Sequence, residues 1–172
     1  LHCRAVEASG IRIHHPNREK PQSKATKTGV IVLLLASAVL AEIVLIGGYA
    51  KMAGAEIVGI VWGLLYVLMA FFVARWSRGV LPLAAGMSIV FISFAAISAP
   101  AWFARDEPGL EDPLLPAGLL GLLTLVIIAV QALLIVFAMR GFQQEWNVEV
   151  EVREGDERYE RAEEPPDDHP RA

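Results

Sequence analysis

The chain has 172 residues, of which 55% are hydrophobic and only 20% are charged, and its mean hydropathy is +0.47. A soluble globular domain has about 45–50% apolar residues, so this composition excludes an ordinary soluble enzyme domain, a disordered protein and a disulfide scaffold. The net charge of −4 is uneven, because residues 1–28 are basic and residues 141–172 carry eleven acidic against four basic side chains. An acidic segment repels nucleic acid, so we expect an integral membrane protein with no nucleic-acid partner.

Four apolar segments follow one another along the chain, at about residues 29–50, 57–74, 80–103 and 118–139. The length of each segment is close to the ~20 residues that a helix needs to cross a hydrocarbon core. Backbone groups in lipid must bond internally, which favours helices over strands. The sequence therefore predicts an all-α membrane protein, an antiparallel four-helix transmembrane bundle of residues 29–140. We expect residues 1–28 to be a basic, disordered N-terminus and residues 141–172 to be a juxtamembrane segment with a disordered acidic tail.

Basic residues predict the orientation of this bundle. Seven lysines and arginines flank the apolar segments at the end that holds both termini, whereas only Lys51 and Arg105 flank them at the other end. Cytoplasmic loops carry the excess of basic residues, so we expect a multi-pass protein of the bacterial cytoplasmic membrane with both termini in the cytoplasm. The alternative is that residues 29–50 are a cleaved signal peptide. That segment is longer than the ~7–15 apolar residues typical of signal peptides and contains Glu42.

Glu42 is an ionisable residue inside the first apolar segment. At ~1.5 Å per helical residue it lies about 12 Å below the outer boundary, where a charged group costs about 2.5 kcal/mol or more. Its side chain must therefore face other helices or a water-filled cavity. One hypothesis is a proton- or cation-coupled site, and the other is a protonated carboxyl bonded to a neighbouring hydroxyl. The same depth arithmetic predicts a polar layer of Glu42 with Tyr66, Ser93 and Thr124.

A second polar layer is predicted nearer the inner end of the bundle. Ser37 and Ser88 each lie about 12 Å from that end at ~1.5 Å per residue, and Gln131 lies at a similar level. Amide and hydroxyl groups commonly hydrogen-bond between membrane helices. We therefore interpret Ser37, Ser88 and Gln131 as structural contacts rather than as a transport pathway.

Small residues at intervals of four mark the expected helix–helix contacts, because they let backbones approach closely. The positions are Gly59 and Gly63 in the second segment, and Ala84, Ser88, Ala95 and Ala99 in the third. Packing inside the bundle is one interpretation of Gly59 and Gly63, and a homodimer through them is the other. Pro100 is expected to end or bend the third helix.

Valines alternate with polar residues over residues 147–152, which predicts a short strand with Val148, Val150 and Val152 on one side. A lone strand is not stable in water. We therefore expect this strand to bind a partner protein by adding to the edge of its sheet.

Metal-binding and catalytic patterns are weak in this sequence. Four carboxylates lie in one predicted outer loop, and His2, Cys3, His14 and His15 lie near the start, but neither group has the spacing of a known metal site. The loop carboxylates are Asp106, Glu107, Glu111 and Asp112. No nucleophile elbow, zinc helix, phosphate-binding loop or dinucleotide turn is present. We expect no metal, no cofactor and no enzymatic activity.

Two resemblances are found in the chain. The run Leu40-Ala-Glu-Ile-Val44 with the later Lys51 resembles the first helix of the small multidrug resistance family of proton-coupled exporters, which implies that Glu42 binds protons and substrate. Helices two to four show no corresponding pattern. Residues 135–150 and 101–109 resemble parts of uncharacterised four-span membrane proteins of high-GC Gram-positive bacteria, which implies a topology but no mechanism.

Two functions follow from these observations. The first is an accessory or scaffolding subunit of a membrane complex, which packs in the bilayer and recruits a protein partner through residues 147–152. The second is a small proton- or cation-coupled transporter or channel that uses Glu42. The geometry around Glu42 discriminates between them, because transport needs a continuous wet cavity whereas a structural role needs a dry contact to Thr124 or Tyr66.

Overall fold

Four long helices make up most of the structure. The computed structural model describes residues 11–49, 55–104 and 113–153. Its elements in chain order are β1 (Ile11–His14), α1 (Pro16–Glu19), α2 (Pro21–Tyr49), α3 (Ala55–Ala74), α4 (Val80–Ala104), α5 (Ala117–Gln143) and β2 (Val150–Arg153). Helices α2 to α5 are each long and apolar enough to cross a membrane. The predicted all-α multi-pass membrane bundle is therefore confirmed.

The bundle has two dissimilar ends. We call the end at residues 11–20, 75–79 and 141–153 the terminal end, and the opposite end the distal end. At the terminal end α2 begins at Pro21, well before the predicted boundary at residue 29. Hydropathy marks where lipid begins, but a helix continues for as long as no residue breaks it, and proline is favoured in the first turn. The prediction that residues 1–28 are disordered is thus wrong for residues 11–28, while residues 1–10 lie outside the described residues.

Two helix ends contain residues that are unusual at their positions. Helix α4 continues past Pro100 to Ala104, because a proline near a helix end removes only its own amide bond. Helix α3 ends with Trp76 in the left-handed conformation, at φ 63°. The Trp76 N–H donates to the carbonyl of Val73 at 2.9 Å, and the Ser77 N–H to that of Phe72 at 3.0 Å. Glycine is the usual residue in this cap, so the Trp76 side chain must have contacts that compensate.

The helices pack unevenly. α5 contacts α4 most extensively and also contacts α2, which in turn packs on α3, whereas α3 and α4 make few contacts with each other. The larger buried cluster lies in the terminal half and includes Val30, Leu34, Leu81 and Leu134. A small cluster around Trp102 lies in the distal half. The distal half is therefore the less densely packed part of the bundle.

The two chain ends are bonded together at the terminal end. Trp146 is fully buried there, and its ring packs edge-on against Trp76 with 5.2 Å between ring centroids. Arg18 donates from Nε to the Trp146 carbonyl at 2.9 Å, and the Gln144 side chain donates to Thr26 Oγ1 at 3.0 Å. Lys27 lies 4.1 Å over the Trp76 ring. These contacts hold the left-handed Trp76 in place.

The strand predicted at residues 147–152 begins at Val150, because the Val148 N–H is instead bonded to the Glu145 carbonyl in a turn. Strand β2 pairs in antiparallel fashion with β1, and Ile13 lies opposite Glu151. Val148 and Val150 are exposed, and the Val152 side chain lies outside the description. Since the strand finds its partner within the chain, the reason for inferring a partner protein's sheet no longer holds.

We expect a disulfide between Ile13→Cys and Glu151→Cys in a Cys3→Ser background. Antiparallel partners lie about 4.5–5.5 Å apart at Cα, within the about 4.4–6.8 Å that a disulfide needs. Oxidation of membranes followed by electrophoresis without reductant detects the closed ring as a mobility shift. The control pairs Ile13→Cys with Asn147→Cys, outside β2, and should not shift. Equal shifts for both pairs, or none for either, would contradict the sheet.

Candidate functional site

Glu42 lies on the face of α2 that packs against α3, in the distal half. Its side chain is half-buried, and an ideal Cβ built on Gly63 would lie only 2.5 Å from Glu42 Oε1. Glycine at position 63 therefore makes the space for the carboxylate. Glu42 makes no hydrogen bond or ion pair within the part of the chain that the structure describes. A carboxyl group at this depth without a partner among the described residues is the feature of the bundle that most needs an explanation.

The G-x-x-x-G motif of α3 packs inside the chain. A Cβ on Gly59 would overlap Leu45 of α2, just as one on Gly63 would meet Glu42. Side chains of α2 therefore pack against both glycines, which favours the interpretation of the motif as packing inside the bundle. The homodimer through Gly59 and Gly63 stays a prediction.

A groove of about 650 Å³ opens beside Glu42 between α2 and α3. Glu42 is the one ionisable side chain among the described residues that line it. The others are all apolar: Ala38, Val39, Ile43, Ile46, Gly47, Ile60, Gly63, Leu64, Val67, Leu114 and Leu115. At the distal end, the Leu115 N–H donates to the Gly47 carbonyl at 3.1 Å and holds the chain across the groove. The groove is thus closed at its distal end and open sideways, where lipid surrounds the bundle.

The predicted polar layer around Glu42 does not form. Tyr66 is fully buried and its hydroxyl donates to Gln131 Oε1 at 3.0 Å. Ser93 is exposed and donates to the Ile89 carbonyl, and Thr124 donates to the Leu120 carbonyl one turn back in its own helix. Depth along a helix was predicted from residue counting, but the rotation of each helix decides which side chains meet. Glu42 lines the groove between α2 and α3, whereas Thr124 lines a different cavity and Tyr66 bonds to Gln131.

The second predicted set is buried in the terminal half. Ser37, Ser88 and Gln131 are each fully buried, but the two serines bond to carbonyls of their own helices, those of Leu33 and Ala84. Tyr66 therefore joins the second set rather than the first, and its bond to Gln131 links α3 to α5. Residue counting missed this bond because it assigned Tyr66 and Gln131 to different layers. Gln131 Nε2 has no hydrogen-bond partner among the described residues.

The small residues of α4 lie on one buried face. Ala84, Ser88, Ala95 and Ala99 are all buried, and the main neighbour of α4 is α5. Small side chains let two helix backbones approach closely. Their spacing in the sequence therefore identified the face that α4 packs against its neighbour, although not which neighbour that is.

A second cavity, of about 390 Å³, lies between all four long helices in the distal half. Thr124 lines it, together with the aromatic side chains of Trp62, Phe91, Phe94 and Trp102. The Trp62 and Phe91 rings meet edge-on at 5.8 Å and close the seam on one side. Trp62 Nε1 is buried without a hydrogen-bond partner among the described residues. This cavity thus lies inside the bundle, whereas the groove beside Glu42 lies between α2 and α3.

Possible metal ligands do not converge in the described residues, where no three His, Cys, Asp or Glu side chains are grouped to hold an ion. His14 Nε2 lies 2.9 Å from Glu19 Oε1, and His15 Nδ1 lies 3.4 Å from the Val148 carbonyl. His2, Cys3 and the loop carboxylates at residues 106–112 lie outside the description. The two described histidines thus contribute to the terminal end rather than to an ion site.

Comparisons with known proteins do not assign this chain to a family. No protein-family model, no curated protein and no solved structure matches the chain. The resemblances to the small multidrug resistance family and to four-span proteins of high-GC Gram-positive bacteria therefore stay predictions. The features of the described residues that bear on function are Glu42, which has no partner among them, and the groove beside it.

Tyr66→Phe is expected to lower the free energy of unfolding by about 1 kcal/mol, because it breaks the α3–α5 bond and leaves Gln131 Oε1 without its donor. The measurement is equilibrium unfolding in mixed micelles. Ser93→Ala is the matched control, since its hydroxyl is exposed and bonded only within α4. We expect it to change stability by less than about 0.5 kcal/mol. Equal effects would show that the buried bond contributes nothing to stability.

Proposed function

We propose that this multi-pass membrane protein is an accessory or scaffolding subunit of a membrane complex. Its binding surface is the groove between α2 and α3, and the occupant is a transmembrane helix of the partner. The proposal replaces recruitment by strand addition, because β2 is already paired with β1. It assigns no chemical step and no cofactor to the chain.

The observation that carries the proposal is the unpaired Glu42. Ionisable residues in a membrane almost always face a bundle interior or a cavity and pair with another group, since an uncompensated charge costs about 2.5–3.5 kcal/mol. Glu42 has no such partner among the described residues, and the groove next to it is open to the side. A second transmembrane segment in the groove covers the carboxylate and also the apolar side chains around it.

The same proposal places the protein in a bacterial cytoplasmic membrane with its terminal end in the cytoplasm. Support comes from the basic residues gathered at that end, which include Lys20, Lys24, Arg75, Arg78 and Arg140. Cytoplasmic segments carry such an excess. The pairing of β1 with β2 puts both chain ends on one side of the membrane, as an even number of spans requires.

A small proton- or cation-coupled transporter is the alternative, and it rests on the same carboxylate. A transported ion needs polar groups along its path. The described walls of the groove offer none besides Glu42, and the core at Tyr66 and Gln131 is fully buried. These two observations favour the subunit over the transporter.

Purification of the tagged chain from its native membranes in nanodiscs, with mass spectrometry of what accompanies it, tests the proposal. We expect one membrane protein at near-equal abundance. Leu64→Trp fills the groove and should reduce recovery of this partner about tenfold, the equivalent of about 1.4 kcal/mol. Leu122→Trp is the matched control on α5, since Leu64 and Leu122 are 62% and 57% exposed and Leu122 does not line the groove.

Three outcomes of this purification are distinguishable. Loss of one partner from Leu64→Trp alone supports the proposal. Equal loss from both tryptophan variants shows that the effect is general destabilisation and contradicts binding in the groove. A homo-oligomer without a partner contradicts the proposal, and proton flux into vesicles that is present in the wild type and lost in Glu42→Gln would then establish the transporter.

A further inference from the structure

The floor of the groove combines small residues with a single ionisable side chain, that of Glu42. Ala38 and Gly63 are buried beneath it, while Val39, Ile46 and Leu64 stand at its sides with more than half of their surface exposed. Small residues let the backbone of another helix approach closely. A helix that enters sideways therefore has one polar group within reach, the carboxylate of Glu42.

The chemistry of that carboxylate restricts the helix that binds. An ionised carboxylate only accepts hydrogen bonds, and bonds to a charged donor are about twice as strong as those between neutral groups. A lysine or arginine on the partner carries its own penalty in the hydrocarbon, so pairing relieves both chains at once. A second copy of this chain related by a two-fold axis would instead bring two Glu42 carboxylates together, which repel each other.

We propose that the groove between α2 and α3 binds a transmembrane helix that carries a lysine or arginine opposite Glu42. This inference rests on the proposed function and names the partner's chemistry. Glu42 lies six residues before the end of the membrane span at Gly48, so at ~1.5 Å per residue the basic side chain sits about 9 Å inside the distal boundary. The pair is buried by the apolar side chains of the groove, which excludes water from it.

Synthetic peptides test the proposal without knowledge of the partner. Leucine–alanine helices of about 20 residues span the bilayer, and a single Lys, Gln, Leu or Glu is placed at the depth of Glu42. Energy transfer between labelled peptide and labelled full-length chain in phosphatidylcholine vesicles measures association. We expect the Lys peptide to bind about tenfold more tightly than the Leu peptide. This preference should disappear in Glu42→Gln and persist in the control Leu122→Trp.

Each other outcome overturns a defined part of the inference. If all four peptides bind equally and Leu64→Trp abolishes their binding, the groove binds helices but the charge inference is wrong, and the proposed function stands. If Leu64→Trp leaves every peptide bound as before, the groove is not the site and the proposed function fails too. If a preference for Lys appears only after Lys51→Gln and Arg105→Gln, the chain itself supplies the partner of Glu42. Self-association that Glu42→Gln strengthens points instead to a second copy.

Discussion

The hydrocarbon interior of a bilayer offers no hydrogen-bonding partners, and this constraint determines the rest of the structure. Helices meet this constraint because their backbone groups bond within the segment, and at the distal end of α2 the Gly47 carbonyl also accepts from the Leu115 N–H. The buried hydroxyls of Ser37, Ser88 and Thr124 follow the same rule, since each donates to a carbonyl one turn back. Polar side chains in this bundle are therefore largely satisfied locally, and Tyr66 with Gln131 forms a bond between helices.

Glu42 breaks this rule, and the packing of the bundle explains how. Helices α2, α4 and α5 are tied together in the terminal half, while α3 and α4 scarcely touch. The distal half is consequently open between neighbouring helices, with a groove on one side of α3 and a cavity on the other. Gly63 leaves the carboxylate space without offering it a partner. An open apolar surface around a carboxyl group that has no partner among the described residues is typical of a contact that another molecule completes.

The terminal end shows the opposite design. Two left-handed residues, Trp76 and Glu145, turn the chain sharply where α3 and α5 finish. Trp76 packs against the buried Trp146, and Arg18 and Gln144 bond the two chain ends across it. The β1–β2 sheet extends this joint beyond the helices. A rigid end and a loosely packed end in one small bundle leave the distal half as the part best able to accept another helix.

The amino-acid sequence by itself determined the number of spans and their antiparallel order, because the length of an apolar segment depends only on local geometry. It also predicted the burial of Gln131 and, from small residues at intervals of four, the face of α4 that packs against a neighbouring helix. It also identified Glu42 as the residue that needs compensation. Only the tertiary structure decided that Tyr66 meets Gln131, that Gly59 and Gly63 pack against α2, and that β2 pairs with β1. Residue counting gives depth along a helix, whereas the rotation of each helix and the meeting of residues over a hundred positions apart depend on how the whole bundle packs.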